Sequence, residues 1–268
     1  MRAIWKGLIS FGLVNIPVRM YTATEEKSVR FHLLHGTDFG RLQNERRCTV
    51  DNQAVPWDEV VRGFEYEKNR YVAVTDEELE QLPVGTTHAI QILDFVDLAQ
   101  IDPIFYKKTY YLEPEEGAAR AYALLREAMK RAGKVAVAKV TLREKEHLCA
   151  VRVVDSALAL EMLFYADEVR PVEALPALPP AEVELPEREL NMAVELVESL
   201  AADFRPEQYR DEYREVLLEL LRRKAAGEPI RLAPPVEAPR VADLMEALRK
   251  SVEQAKQEAK VGKRPRAA

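Results

Sequence analysis

Residues 134–164 read KVAVAKVTLREKEHLCAVRVVDSALALEMLF, and this stretch decides the fold class. It contains three runs rich in apolar residues, at 134–142, 147–154 and 158–164, with short polar turns between them. Apolar and polar side chains alternate in several places, as they do in strands that bury one face. The stretch therefore predicts three consecutive β-strands.

Further strands are predicted on the N-terminal side of this stretch. Residues 1–21 are rich in apolar and β-branched residues, and Gly7, Gly12 and Pro17 interrupt them, which predicts one or two bent strands with a turn or bulge. The other predicted strands are 29–35, 71–75, 88–98 and 104–112.

Two helices are predicted among these strands. Thr75 and Glu78 form a capping-box pattern that opens a short helix over 76–81, and Pro83 should end it. Residues 117–131 carry apolar side chains at helical spacing, and Gly133 is the predicted stop. The first 170 residues are therefore predicted to form one mixed α/β core domain.

The pattern changes after residue 170. Five prolines make 171–186 an extended connection, and amphipathic helices are predicted over 187–203 and 206–226, so that 171–226 form a helical arm. A second proline-rich linker covers 227–240. The final segment, 241–268, is predicted to hold an amphipathic helix over 241–260 and a short basic tail.

The net charge of −6 argues at first against a nucleic-acid binder, because phosphate binding relies on Lys and Arg. The charges are segregated, however. Residues 73–102 carry seven acids and no Lys or Arg, whereas 2–47 and 107–152 are basic. The electrostatic field depends on where charge lies rather than on its sum, so a DNA-binding face and plain solvated faces both remain open at this point.

Enzyme, metal and membrane classes find little support in the sequence. There is no P-loop, dinucleotide-binding glycine motif or Gly-x-Ser-x-Gly elbow, so we expect neither catalysis nor a cofactor. His32 and His35 lie near Cys48, but a structural zinc site usually needs a second cysteine there, so no metal is expected. No apolar run is long enough to span a bilayer and the N-terminus lacks a signal-peptide pattern, so we expect a cytoplasmic protein with two ordinary thiols.

Two stretches combine features that suit a DNA backbone. Residues 104–111 interleave aromatic rings with Lys107 and Lys108, and strand alternation would put Lys107 and Lys108 on opposite faces, the latter with Tyr106 and Tyr110. Arginines also flank the polar stretch 38–44, although a solvated turn is an equal alternative there. The DNA-binding candidates are Arg30, Arg41, Arg46, Arg47, Lys107, Lys108, Lys134, Arg143 and Lys145.

Many short motifs in this chain resemble those of the bacterial Ku family. They stand in order at 1–7, 9–18, 31–35, 63–68, 75–79, 102–104, 109–114, 165–170 and 209–213, and again at 243–248. The resemblance implies a Ku-type β-barrel core with a DNA-embracing bridge and a helical C-terminal arm, dimerised into a ring that threads a DNA end. It also implies a role in non-homologous end joining and recruitment of a multidomain ATP-dependent DNA ligase.

Two departures from the family pattern limit what is carried over. Some members have a Cys-x-x-Cys pair where this chain has Cys48-Thr49-Val50-Asp51, and some have a long lysine-rich tail that is reduced here to residues 263–266. The ligase-recruiting candidates are Leu244, Met245 and Leu248, which share one stripe of the last predicted helix. The alternative function is a sequence-independent architectural protein of the chromatin type, which would not need a DNA end.

Overall fold

The computed structural model describes residues 1–81, 88–142, 145–180, 183–228 and 250–252. The chain divides into two compact units, residues 1–174 and 175–268. None of the helices described is long and apolar enough to cross a membrane. The strands of the described part, in chain order, are β1 (Trp5–Phe11), β2 (Val14–Thr22), β3 (Arg62–Glu67), β4 (Arg70–Val74), β5 (Ala89–Asp97), β6 (Tyr106–Pro114), β7 (Lys134–Leu142), β8 (Lys145–Val154) and β9 (Ala157–Leu163).

Seven of these strands close into a barrel in the order β1-β2-β6-β9-β8-β7-β5. All neighbours are antiparallel except β1 and β5, which close the barrel in parallel with Leu8 opposite Ala89. The predicted mixed α/β fold with a β-barrel core is therefore confirmed. Gly12 has a φ of +56° in the tight turn between β1 and β2, a conformation that glycine adopts without a steric penalty.

The barrel interior holds the hydrophobic core. Alternate residues of each strand point inward, including Ile9, Met20, Ile90, Leu112 and Leu160, all of which are fully or almost fully buried. Full burial of such side chains contributes about 1.5–3 kcal/mol each relative to exposure. These positions are the alternating apolar residues of the predicted strands, which is why the sequence pattern located the barrel strands correctly.

A helix, α2 (Ala119–Ala132), packs against one end of this core with Tyr122, Leu125 and Met129. The Tyr122 hydroxyl donates to the Leu112 carbonyl at 2.6 Å and accepts from the Leu158 amide at 2.6 Å, so one side chain ties the helix to two strands. Gly133 ends the helix as predicted, with a φ of +64°.

An insertion, residues 23–88, leaves the barrel after β2 and returns at β5. It contains the β3–β4 hairpin and the short helix α1 (Asp76–Glu80), whose predicted Thr75–Glu78 capping box is present. The predicted strand at 29–35 is wrong, since Leu34 makes only an isolated bridge with Arg41. Its apolar residues have no sheet to join, and Phe31 and Leu33 are exposed.

The second unit contains α3 (Glu187–Ser199) and α4 (Glu212–Ala225), and neither helix has a buried residue. The predicted start of α4 at Pro206 is wrong. Pro206–Gln208 form a separate 3-10 turn, and α4 begins after Asp211, whose carboxylate accepts from the Arg214 amide at 2.9 Å. An N-cap carboxylate of this kind is a stronger start signal than the proline.

Candidate nucleic-acid interface

The strand order gathers three predicted lysines at one end of the barrel. Because neighbouring strands are antiparallel and β1 runs with β5, the starts of β6 and β8 lie at the same end as the last residue of β7. Lys107 and Lys108 are the second and third residues of β6, and Lys145 is the first residue of β8, so all three lysines lie at this end of the barrel. We call this end the basic mouth; it opens on a cavity of about 640 Å³ lined by Ile4, Trp5, Thr22, Lys107, Lys108, Tyr110, Leu142, Lys145, His147 and Met162.

A bulge in β6 exposes both neighbouring lysines. The pairing with β9 shifts between Tyr106 and Lys108, so that Tyr106 faces Leu163 and Lys108 faces the core residue Met162. The prediction that Tyr106 shares a face with Lys108 is therefore wrong, because strict alternation fails at a bulge. The Lys107 Nζ lies 4.8 Å from the Phe164 ring centroid and the Lys108 Nζ lies 5.6 Å from that of Tyr110.

The electrostatic effect of these lysines is visible at His147. Burial, followed by the charges of Lys145 and Lys107, lowers the pKa of this imidazole below its ordinary value. Two positions further along β8, burial raises the pKa of the Cys149 thiol, which is fully buried and therefore protonated and inert. Burial and the two lysines therefore both disfavour a positive charge on His147.

Trp5 lies over Gly7 at the same mouth. A Cβ atom on Gly7 would come within 2.4 Å of the Trp5 ring and 2.2 Å of the His88 carbonyl oxygen, so only glycine allows this ring position. The buried Trp5 Nε1 has no hydrogen-bond partner among the described residues. Sequence reasoning did not select Trp5 or His147; for Trp5 the signal available was a tryptophan two residues before a glycine in a predicted strand.

Four of the five predicted arginines belong to the insertion, which leaves the barrel at this same end. Arg30 and Arg41 are exposed. The Arg46 guanidinium stacks 4.3 Å from the Trp57 ring centroid, and Arg47 pairs with Glu45 at 2.9 Å while donating to the Asn52 carbonyl at 2.9 Å. Arg47 is therefore partly committed to holding its own loop.

Lys134 lies at the opposite end of the barrel. It begins β7, so eight residues at about 3.3 Å each separate it from Leu142 at the basic mouth, a span of about 26 Å. Its Nζ is 2.8 Å from Asp97 Oδ1. Lys134 therefore does not line the basic mouth, and its role as a DNA contact stays a prediction.

Three kinds of candidate remain to be located. Arg143, Leu244, Met245 and Leu248 lie outside the described residues. Within the described part of the chain, no group of three or more His, Cys, Asp or Glu side chains is arranged to hold a metal ion. His35 instead pairs with Asp38 at 2.9 Å, and Cys48 is a free thiol.

The acidic segment 73–102 pairs mainly with its own surroundings. Asp76 lies 3.3 Å from Arg62, Asp97 pairs with Lys134, and Asp102 accepts from the Ile104 amide at 2.9 Å. One buried carboxylate, Glu161, faces the outer wall, where Arg152 and Thr109 donate to it at 2.6 and 2.5 Å. None of these acids lines the cavity of the basic mouth.

Comparison with known proteins gives a consistent result. The family model of the Ku70/Ku80 beta-barrel domain matches residues 10–192. A protein of Symbiobacterium thermophilum named "Non-homologous end joining protein Ku" is 48% identical over 94% of this chain, which covers 63% of that relative, less than two thirds of its length. Relatives with the same name from Desulfitobacterium hafniense and Archaeoglobus fulgidus are 46% and 41% identical, over 94% and 96% of this chain and 87% and 100% of their own lengths.

Proposed function

This chain belongs to the Ku family, and from that premise we propose that it binds the ends of double-stranded DNA in double-strand-break repair by non-homologous end joining. The observation that carries the proposal is the similarity over nearly the whole chain to relatives named for end joining. We propose a binding role without catalysis or cofactor, exercised at the nucleoid in the cytoplasm.

The charge distribution supports contact with the DNA backbone rather than with bases. The insertion that carries the arginines joins the barrel at the end where the basic mouth lies, and Lys and Arg bind phosphates irrespective of sequence. Affinity should fall steeply with salt, because each neutralised phosphate releases counterions with a slope of about 0.9. Reversal of Arg46 and Arg47 together should weaken binding to all sequences alike.

Exposed apolar surface supports a homodimeric ring. A two-stranded hairpin is marginal by itself, yet β3–β4 exposes Phe64, Tyr66 and Val72. In the second unit, Val197, Phe204 and Tyr213 are each at least 70% exposed. Patches of this kind mark interfaces, and a second copy of the chain would cover them in a closed two-fold assembly.

The decisive experiment compares linear DNA with covalently closed DNA of the same sequence at matched salt. A ring must load at a free end, so the protein should bind the linear form and bind the closed circle weakly. An architectural protein that binds a groove would accept both forms equally, and that result would replace end binding with the alternative function.

Ligase recruitment is the finer part of the proposal and rests on the sequence of the C-terminal segment. Leu244, Met245 and Leu248 share one stripe of a predicted helix, and an isolated helix of this length needs a partner surface. Truncation after Pro239 should leave solution mass and end binding largely intact while reducing stimulation of the multidomain ATP-dependent ligase. Loss of the dimer would assign the segment to self-assembly, and undiminished ligation would remove the recruitment role.

A further inference from the structure

The basic mouth contains a recessed, partly open cavity, which backbone binding to a duplex does not require. Its wall is formed by the inward faces of strands, because Lys145 and His147 precede the buried Cys149 at alternate positions of β8, and Lys108 likewise precedes the buried Tyr110 on β6. The core therefore forms its floor and the three ammonium groups surround its rim. Mouths of β-barrels are recurrent sites for small ligands, and its volume of about 640 Å³ is ample for more than a bare phosphate.

The cavity offers hydrogen-bond donors that lack acceptors. No carboxylate appears among the described residues that line it, so its three lysines have no acidic partner within the cavity. A bound anion would supply acceptors for these ammonium groups. His147 adds a ring nitrogen close to Lys145 and Lys107, and the Trp5 ring forms part of the wall.

A phosphate-bearing nucleotide combines the features that this cavity accepts. Its phosphate supplies acceptors for the lysines and for His147, and its base can lie against the Trp5 ring, as bases stack on aromatic side chains in single-strand binders. A paired nucleotide inside a duplex cannot enter a recess of this size between barrel strands, whereas an unpaired one at a strand end can. A free nucleotide has the same chemistry.

We propose that the basic mouth captures the phosphorylated terminal nucleotide of an unpaired DNA strand, through Trp5, Lys145 and His147. The proposal rests on the proposed function, since the strand would come from the bound DNA end. It adds a contact to the end itself, and so predicts that the chemistry of the terminus affects affinity.

The test uses the full-length protein and short duplexes with a 5′ overhang, carrying either a 5′-phosphate or a 5′-hydroxyl, with a blunt duplex as reference. The phosphorylated overhang should bind about tenfold more tightly than the hydroxyl form, the usual scale for a charge-assisted contact. Lys145→Gln, which removes one ammonium group from the rim, should abolish that difference. Lys139→Gln is the matched control, because Lys139 lies on the adjacent strand but pairs with Glu146 at 2.8 Å.

A direct readout avoids reliance on these variants. Trp5 and Trp57 are the two tryptophans of the chain, so Trp57→Phe leaves Trp5 as the sole indole reporter. Its fluorescence should change with the phosphorylated overhang and not with the blunt duplex. Equal affinity for both overhangs with a silent Trp5 would overturn the proposal, as would a response confined to free deoxynucleoside monophosphate. Preference for linear over closed DNA would survive either result, so failure here is distinct from failure of end binding.

Discussion

The two ends of the barrel are built from the same strands and differ in almost every other respect. At the basic mouth, lysines surround a cavity, and at the opposite end α2 covers the strands and leaves an apolar cleft of about 400 Å³ between Phe11, Phe95 and Leu124. The difference shows how one core can separate tasks: residues at the helix-covered end maintain the fold, while those at the mouth are free to carry charge. Four predictions test that separation.

The largest expected effect is on stability at the helix-covered end. Met129 is 2% exposed, so Met129→Ala should lower the free energy of unfolding by about 2–5 kcal/mol through lost burial and a cavity. Leu124→Ala, at a position 72% exposed on the same helix, is the control and should change it by about 0.5 kcal/mol or less. Denaturant titration measures both. If the two ends of the barrel have separate roles, Met129→Ala protein that is still folded should bind linear DNA with unchanged affinity.

The second prediction concerns charge at the mouth. Lys107→Glu with Lys108→Glu should weaken binding to linear DNA by about tenfold or more and reduce its salt slope, because two phosphate contacts become repulsive. Lys130→Glu with Arg131→Glu, in the last turn of α2, makes the same charge change at the other end and should have a much smaller effect. Equal losses for the two pairs would mean that the ends do not differ in DNA binding.

The third prediction concerns pH. The folded protein lowers the pKa of His147, so the stability that follows from its neutral ring is present above about pH 6.5 and is lost as the pH falls below that value. Bound phosphate favours the imidazolium and raises the pKa, so affinity for linear DNA should increase a few-fold between pH 7.5 and pH 6, roughly the range in which imidazole titrates. His147→Gln should flatten this profile; an unchanged profile would show that His147 does not sense the DNA.

The smallest expected effect is that of a chelator. We expect no zinc site in the insertion, because His35 is paired with Asp38 and Cys48 has no second cysteine close to it in the sequence. A chelator should therefore leave the melting temperature unchanged. Elemental analysis that finds one zinc per chain would refute this.

The barrel could be predicted because its strands are short apolar runs bounded by polar turns, alternating in part of β7 and almost wholly buried in β9. The hairpin strand β3 was missed, since all six of its residues are exposed and no apolar face marks it. Exposed elements leave little trace in hydrophobic periodicity.

The candidate site was predicted in part. Lys107, Lys108 and Lys145 were selected for their charge, and the strand order brings them together. Lys134 was selected for the same reason but lies at the opposite end of the barrel. The charge of a sequence segment does not show at which end of the barrel its residues will lie. Trp5 and His147 were missed because their importance depends on partners more than a hundred residues away in sequence.

The parallel pairing of β1 with β5 has a consequence for how the chain is made. Leu8 and Ala89 must meet across the whole insertion, and such non-local contacts slow folding because loop closure precedes any gain. During synthesis the β1–β2 hairpin emerges first and must wait, with one edge of β1 unpaired, until β5 has left the ribosome. We expect that interval to be the period in which nascent chains are most prone to edge-to-edge association and to chaperone capture.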